Sequence, residues 1–422
     1  MCGNHIREAV DRRTVLRAAG AAGVTGLAGC LSSLGGGGEG SANELTVGYT
    51  TSLSGPFSVF GQSALDGAML AVEDLESELD VSISVETGDT QLDPSTGVSR
   101  MQQLVTEDEA DFTMGAVSSS AAQAMASWAN ENEVIYFPTG AHGDGLTGDA
   151  CGPYSFRPSA SNSMLAATIG AEMAERADSW YLLFSDYAWG QTAQEAVTRI
   201  LEEQGKEVVG TSPTPFPADD YSPYLNEADN SGAEGIGMLI AGLDLRKATN
   251  QLVSQGMQGN YTLAMHQLED AVFWGLDRDS AGILDTAGQV WGPAVDTTAA
   301  QEFCERVAET SETDPYVRHF LGYLSMDQAV RAAVRADSTN ADEMRSALEG
   351  HEVSSGVTDI KGGDSGMYWR AGDHQLIQPT YSVEALPVDQ MQDDPYKRWF
   401  QTVNTFAGDD VARPVSETGC SM

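Results

Sequence analysis

Four short stretches hold residues suited to gripping a small polar molecule. They are "TSLSGPFSVFG" at 51–61, "AVSSSAAQ" at 116–123, "FPTGAHGDG" at 137–145 and "SDYAWGQ" at 185–191. Ser54, Ser118, Ser119, Ser120 and Thr139 bring hydroxyls. Each stretch follows a run that reads as a strand and precedes one that reads as a helix. Free N–H groups and the dipole at a helix start favour an anion such as a carboxylate. Tyr187 and Trp189 add flat apolar surface. A single serine at such a place is equally a helix cap. Four polar loops with aromatic residues among them point to reversible binding of a ligand.

Covalent catalysis is poorly supported. No G-x-S-x-G elbow surrounds the serine run. The six histidines, His5, His142, His266, His319, His351 and His374, are scattered, and no C-x₂-C or H-E-x-x-H spacing appears. "GGGGEG" lacks a preceding strand, so it reads as a linker rather than a phosphate loop. Asp144 and Asp149 lack the alternating spacing of a calcium loop. No cofactor and no metal is expected. Asn260-Tyr261-Thr262 is a glycosylation sequon of low specificity.

The elements that must position these loops alternate. "ELTVGYT", "VSISVETGDT", "ADFTMGAV" and "EVIYFPTG" read as strands. Between them lie helical patterns: residues 62–79, with Leu65, Ala68, Met69 and Val72 on one face, then "DPSTGVSRMQQLVTE" and "SSAAQAMASWANEN". After "CGPYSFRPSASN" the alternation restarts with "SWYLLFSD", "KEVVGTSPTPF", "EGIGMLIAG" and "YTLAMH" as strands. Two long helical patterns follow, 299–310 and 316–336, then short strand-like pieces in 366–386. This is an α/β chain of two similar lobes with parallel sheets. In such sheets ligands sit beyond the carboxyl ends of the strands, where the four loops fall.

The chain begins differently. Arg12-Arg13 precede an apolar run, 15–28, too short to span a membrane, and the run ends at Cys30. Arg12-Arg13 with Leu16 resembles a twin-arginine export signal, and Leu27-Ala28-Gly29-Cys30 resembles a lipobox that would leave Cys30 lipidated. "LSSLGGGGEGSANE" after it reads as a flexible tether.

The formal net charge is −40. Residues 1–29 hold four arginines and two acids, so the remainder carries 18 basic and 60 acidic residues, net −42. Nucleic acid and anionic surfaces are excluded as partners. The acids are scattered among apolar residues, a pattern that resembles halophilic proteins, so the charge reports the solvent. Cys151, Cys304 and Cys420 remain after the signal and Cys30. One disulfide is plausible outside the cell, with three possible pairings.

The order of "SLSGPFSVFGQSALDGAMLAVEDL", "GAVSSSAAQAMASWANENEVIYFPTGA", "CGPYSFRPS", "DYAWGQTAQEAVTRILEEQGKEVVG", "DYSPYL" and "DHQLIQPTY" resembles the type I solute-binding proteins, in particular the branched-chain amino acid, amide and urea group that serves ABC importers. The resemblance covers 44 to about 386. It implies two Rossmann-like lobes joined by a three-strand hinge and closing on ligand. The expected boundaries are 1–29 for the signal and 30–43 for the linker. Lobe 1 takes 44–155 and 296–375, lobe 2 with the hinge takes 156–295 and 376–410, and 411–422 is a tail. The family's contacts fall on Ser118, Ser119, Thr139, Gly140 and Ala141 for a carboxylate, with Trp189 packing on the apolar part. Ser54, Phe57 and Tyr187 complete the expected site.

Amino-acid binders place an acid on a loop where this chain has His266 or Gln267, with Glu269 and Asp270 slightly displaced. An unpaired ammonium would be costly, so an amide, urea or apolar carboxylate competes with an amino acid as ligand. His374 in "DHQ" matches a structural feature. The expected partners are a small-molecule ligand, the permease subunits of an importer, and the membrane through a lipid anchor on its outer face, with the body a monomer. A ligand-sensing receptor coupled to a signalling partner is the alternative, and a secreted enzyme the remoter one.

Overall fold

The computed structural model describes residues 42–362, 366–391 and 396–422. The export signal, Cys30 and the linker up to residue 41 lie outside the described residues. Strands β1 (Glu44–Thr51), β2 (Ser82–Asp89), β3 (Phe112–Gly115) and β4 (Tyr136–Pro138) form a parallel sheet in the order β2-β1-β3-β4. The second sheet begins with β5 (Ser179–Ser185), β6 (Glu207–Thr214), β7 (Gly235–Leu239), β8 (Thr262–Met265) and β9 (Thr286–Gln289), all parallel. β3 and β7 are buried at every residue, as expected of strands covered by helices on both faces.

A small hairpin, β10 (Tyr368–Trp369) with β11 (Leu376–Ile377), precedes β12 (Thr380–Ala385) and β13 (Phe400–Phe406). These last two complete a seven-stranded sheet in the order β13-β12-β9-β8-β7-β5-β6. The second sheet is therefore not wholly parallel: β12 runs antiparallel to β9, and β13 to β12. The chain leaves this lobe at the carboxyl end of β9 and comes back at the same end, which fixes the direction of β12.

The chain passes between the lobes three times: after β4, after β9 and before β12. The passages are stitched by polar groups. Buried Arg157 donates through Nε to Gln375 Oε1 at 2.7 Å and through Nη1 to Gly143 O at 2.7 Å. Gln375 Nε2 donates to Ser159 O at 2.8 Å. His374 stacks on Phe156 with ring centres 3.9 Å apart, so it packs the passage and stays away from any ligand.

The helix Ser58–Glu78 starts one turn earlier than its pattern suggested. Of the four residues expected on its inner face, Ala68 and Val72 are buried, Leu65 is half-buried and Met69 is exposed. The face that counts is smaller: Ala64, Gly67, Ala68 and Ala71 lie against the helix Val317–Ala336. At Gly67 an added Cβ would lie 1.9 Å from His319 O, and at Gly322 one would lie 1.8 Å from Ala64 O. Two glycines thus let the backbones touch. Asp93 caps the helix Pro94–Thr106 by accepting from Thr96 N at 2.7 Å.

Cys151 and Cys420 form a disulfide, and Cys304 lies buried in the helix Thr298–Thr310. Among the described residues no helix is long and apolar enough to cross a membrane, and no group of three or more His, Cys, Asp or Glu is arranged to hold a metal ion.

Candidate functional site

The carboxyl ends of β1, β3, β4, β5, β7 and β8 converge on a narrow cleft between the lobes, partly open to solvent, with about 420 Å³ of space counted out to its mouth. The first lobe supplies Phe57, Phe60, Val117, Gly140, His142 and Arg318; the second supplies Tyr187, Trp189, Ile240, Leu245, Gln267 and Glu269 among others. Aromatic rings close it from both sides. Phe57 meets Phe216 with centroids 5.0 Å apart, and Phe216 meets Tyr187 at 5.3 Å. Trp189 is held edge-on by His266 at 5.8 Å, and Asn162 Nδ2 donates to Trp189 O at 2.7 Å.

The polar floor is one connected network. Arg318, near the start of the helix Val317–Ala336, donates through Nη1 to Gly140 O at 2.6 Å, which anchors it to its own lobe. Its Nε donates to Glu269 Oε2 at 3.1 Å and its Nη2 to Glu269 Oε1. This ion pair joins the two lobes and is buried on both sides. Gln267 Nε2 donates to Glu269 Oε1 at 2.8 Å and to His142 Nε2 at 2.9 Å. Since His142 Nε2 accepts, its Nδ1 carries the proton and donates to Ala160 O at 2.8 Å. Burial, helped by the Arg318 charge, holds His142 well below the usual histidine range, so its ring is neutral. Burial pushes the Glu269 carboxyl up, and the Arg318 guanidinium opposes that shift. Neighbouring Asp270 is held by burial up to about 8 and accepts from Gln289 Nε2 at 3.0 Å.

Phe57, Gly140, Tyr187, Trp189 and Gln267, expected from the sequence, are brought together in this wall, with Phe60. Ser54, Ser118, Ser119, Thr139 and Ala141 are not part of it, and most of them have partners elsewhere. Ser54 Oγ donates to Asp89 Oδ2 at 2.6 Å on the exposed surface. Ser119 Oγ accepts from Gly143 N at 3.0 Å. Thr139 Oγ1 accepts from Gly115 N and donates to Phe137 O, both at 3.2 Å. Ala141 O accepts from Ser159 Oγ at 2.6 Å. Ser118 is buried at the start of the helix Ser119–Glu131. These bonds knit the loops to one another.

His266 sits behind Trp189, bonded to Asn162 Oδ1 at 3.0 Å and held by burial down to about 3. No acid stands at His266 or Gln267; Glu269, two residues past Gln267, lines the cavity and is engaged by Arg318. Ile240 was read as part of the strand run 234–242, whereas β7 ends at Leu239, and Leu245 follows that run, where the strand-end rule would have found it. Arg318 had a weaker signal: a basic residue in an apolar helix of a chain with few cations.

Comparisons with known proteins agree with this architecture. A family model described as "Periplasmic binding protein" matches residues 44–389. The "Leu/Ile/Val-binding protein homolog 4" of Brucella abortus is 22% identical, covering 94% of this chain and 97% of that protein. A crystal structure of a periplasmic binding protein from Burkholderia mallei superposes with a TM-score of 0.83 at 23% identity, over 90% of this chain and 99% of that one. A solute-binding protein of an ABC transporter from Rhodopseudomonas palustris BisB5, solved in complex with 3,4-dihydroxy benzoic acid, gives 0.74 at 16% identity, over 86% and 98%. With a family match across most of the chain and a cleft between two α/β lobes, the protein belongs to the periplasmic binding protein family.

Proposed function

We propose that the protein is an extracytoplasmic solute receptor that closes its lobes on a small ligand and delivers it to the permease of an ABC importer. The observation that carries this reading is the cavity between the lobes, walled by aromatic rings and floored by one polar network drawn from both of them. Opening the lobes would expose the cavity, and closing them would bury 70–90% or more of a small ligand, as such sites do. The names of the relatives, a Leu/Ile/Val-binding homologue and an aromatic-acid complex, support a small ligand with an apolar body and a polar end. Branched-chain amino acids and small carboxylates or amides with an apolar tail fall in that range, and urea, which has no apolar body, fits it least.

The disulfide supports an oxidising, exported location. Twin-arginine export followed by lipidation at Cys30 would tether the body to the outer face of the membrane. Cell fractionation checks the tether. The wild type is expected with the membranes and Cys30→Ser in the medium, and equal release of both would remove the anchor from this account.

Native mass spectrometry of the purified protein identifies the ligand, and calorimetry with that ligand tests the cleft. Trp189→Ala is expected to lose about thirtyfold in affinity, roughly 2 kcal/mol, because the ring closes the apolar wall. Binding at wild-type strength by a folded Trp189→Ala would refute this placement of the ligand.

A further inference from the structure

The charges of the cavity decide more than its position. The wall holds one acid, Glu269, and one arginine, Arg318. Both Glu269 oxygens are occupied by the guanidinium, and Oε1 also accepts from Gln267. A ligand ammonium would find only the lone-pair site left on Oε2, and there it would sit beside the Arg318 charge, where like charges repel. Asp270 offers no substitute: it is buried, bonded to Gln289 and outside the wall.

Arg318 has capacity to spare. Of its five N–H groups, three are used, by Gly140 O and the two Glu269 oxygens. One N–H on each terminal nitrogen is left without a protein acceptor among the described residues. Guanidinium N–H groups are suited to a carboxylate, and such charge-assisted bonds are strong. Around them stand Phe57, Phe60, Tyr187 and Trp189, with Arg318 itself 5.6 Å from the centre of the Phe60 ring.

Resting on the receptor reading above, we propose that the cleft selects a carboxylate with an aromatic or branched apolar body and no ammonium group, and that Arg318 is the residue that sets this choice. Glu269 then acts on Arg318, holding its guanidinium across the cleft, and is not the ligand's partner.

Calorimetry with three matched pairs tests it: 3-phenylpropanoate against phenylalanine, 4-methylpentanoate against leucine, and benzoate against benzylamine. The best-fitting carboxylate is expected to bind at least about tenfold more tightly than its ammonium-bearing counterpart. Arg318→Gln is expected to lose that carboxylate by about thirtyfold or more, whereas Glu269→Gln, which keeps the guanidinium but loosens its hold, is expected to lose clearly less. Because Arg318→Gln strands a buried carboxylate, the double variant with Glu269→Gln is measured beside it, with melting curves for all. The double variant is also expected to lose the carboxylate. Tighter binding of leucine or phenylalanine than of the des-amino acid, or loss of binding in a folded Glu269→Gln, overturns the proposal. So does a ligand found by native mass spectrometry that carries an ammonium or lacks a carboxylate, and in that case the receptor reading stands. If nothing binds, from the probes or from a concentrated extract of small solutes, the receptor reading itself falls.

Discussion

Replacing Cys151 and Cys420 together by alanine is expected to lower the free energy of unfolding by about 4 kcal/mol. The two cysteines are 269 positions apart, so in the unfolded chain their bond closes a loop that takes in most of the body. The entropy removed from the unfolded state grows with the logarithm of that length. The folded protein gives up little for the bond because the tail is already placed. Arg370 Nη1 donates to Arg413 O at 2.8 Å, and Arg413 Nη2 lies 3.5 Å from Asp144 Oδ2. Asp144 accepts in turn from Ser163 N at 2.9 Å, at the first turn of the helix Asn162–Arg176. The bond therefore also steadies the loop that carries Gly140 and His142 to the cleft. Urea unfolding of the wild type, oxidised and reduced, and of the double variant measures the effect. The reduced wild type and the variant should coincide, well below the oxidised protein. Equal midpoints for oxidised and reduced protein would mean that the tail detaches without consequence.

The architecture was legible because it rests on local signals. Strand runs such as "FTMG" and "GIGML" are uncharged and largely apolar, and the helices between them are periodic, so the alternation and the strand-end loops could be read directly. What those loops do with their hydroxyls could not. Ser119 bonds Gly143, 24 residues on, and Ser54 bonds Asp89 on the next strand. Each is a tertiary fact without a local mark. Glu269 illustrates a smaller failure. Leu268 N donates to Gly288 O at 2.7 Å, so the chain past β8 stays extended against β9. In extended chain alternate residues share a side, which brings Gln267 and Glu269 to the cavity together. The pairing of Glu269 with Arg318 lies beyond sequence reading, since it joins two lobes and two distant elements. Cys151 with Cys420 was one of three open pairings, and only their proximity decided it.

Gly322→Ala is expected to cost about 3 kcal/mol of stability, and Gly67→Ala with Gly322→Ala to abolish cooperative folding. The reason is the crossing of Ser58–Glu78 with Val317–Ala336. A Cβ at residue 322 would lie 1.8 Å from Ala64 O and one at 67 would lie 1.9 Å from His319 O, both obstructed by backbone that no rotamer change can clear. The helices would have to part, opening gaps between small side chains that now touch, such as Ala64 and Ala68. Helix propensity works the other way, since alanine is favoured over glycine in a helix by up to about 1 kcal/mol, so a loss measures the clash alone. Gly356→Ala is the control: a Cβ there meets nothing within 4 Å, and the change should stay within about 0.5 kcal/mol. The crossing also governs the cleft. Phe60 rides on the first helix and Arg318 stands one turn before Gly322 on the second, 5.6 Å from the Phe60 ring centre. A helix pushed outward carries Arg318 away from Gly140 O and Glu269, so Gly322→Ala should weaken ligand binding as well as stability. Denaturant unfolding and ligand titration of the same preparation check both. A Gly322→Ala protein as stable as the wild type would show that the backbones can separate at no cost, and the close crossing would then have no part in positioning Arg318.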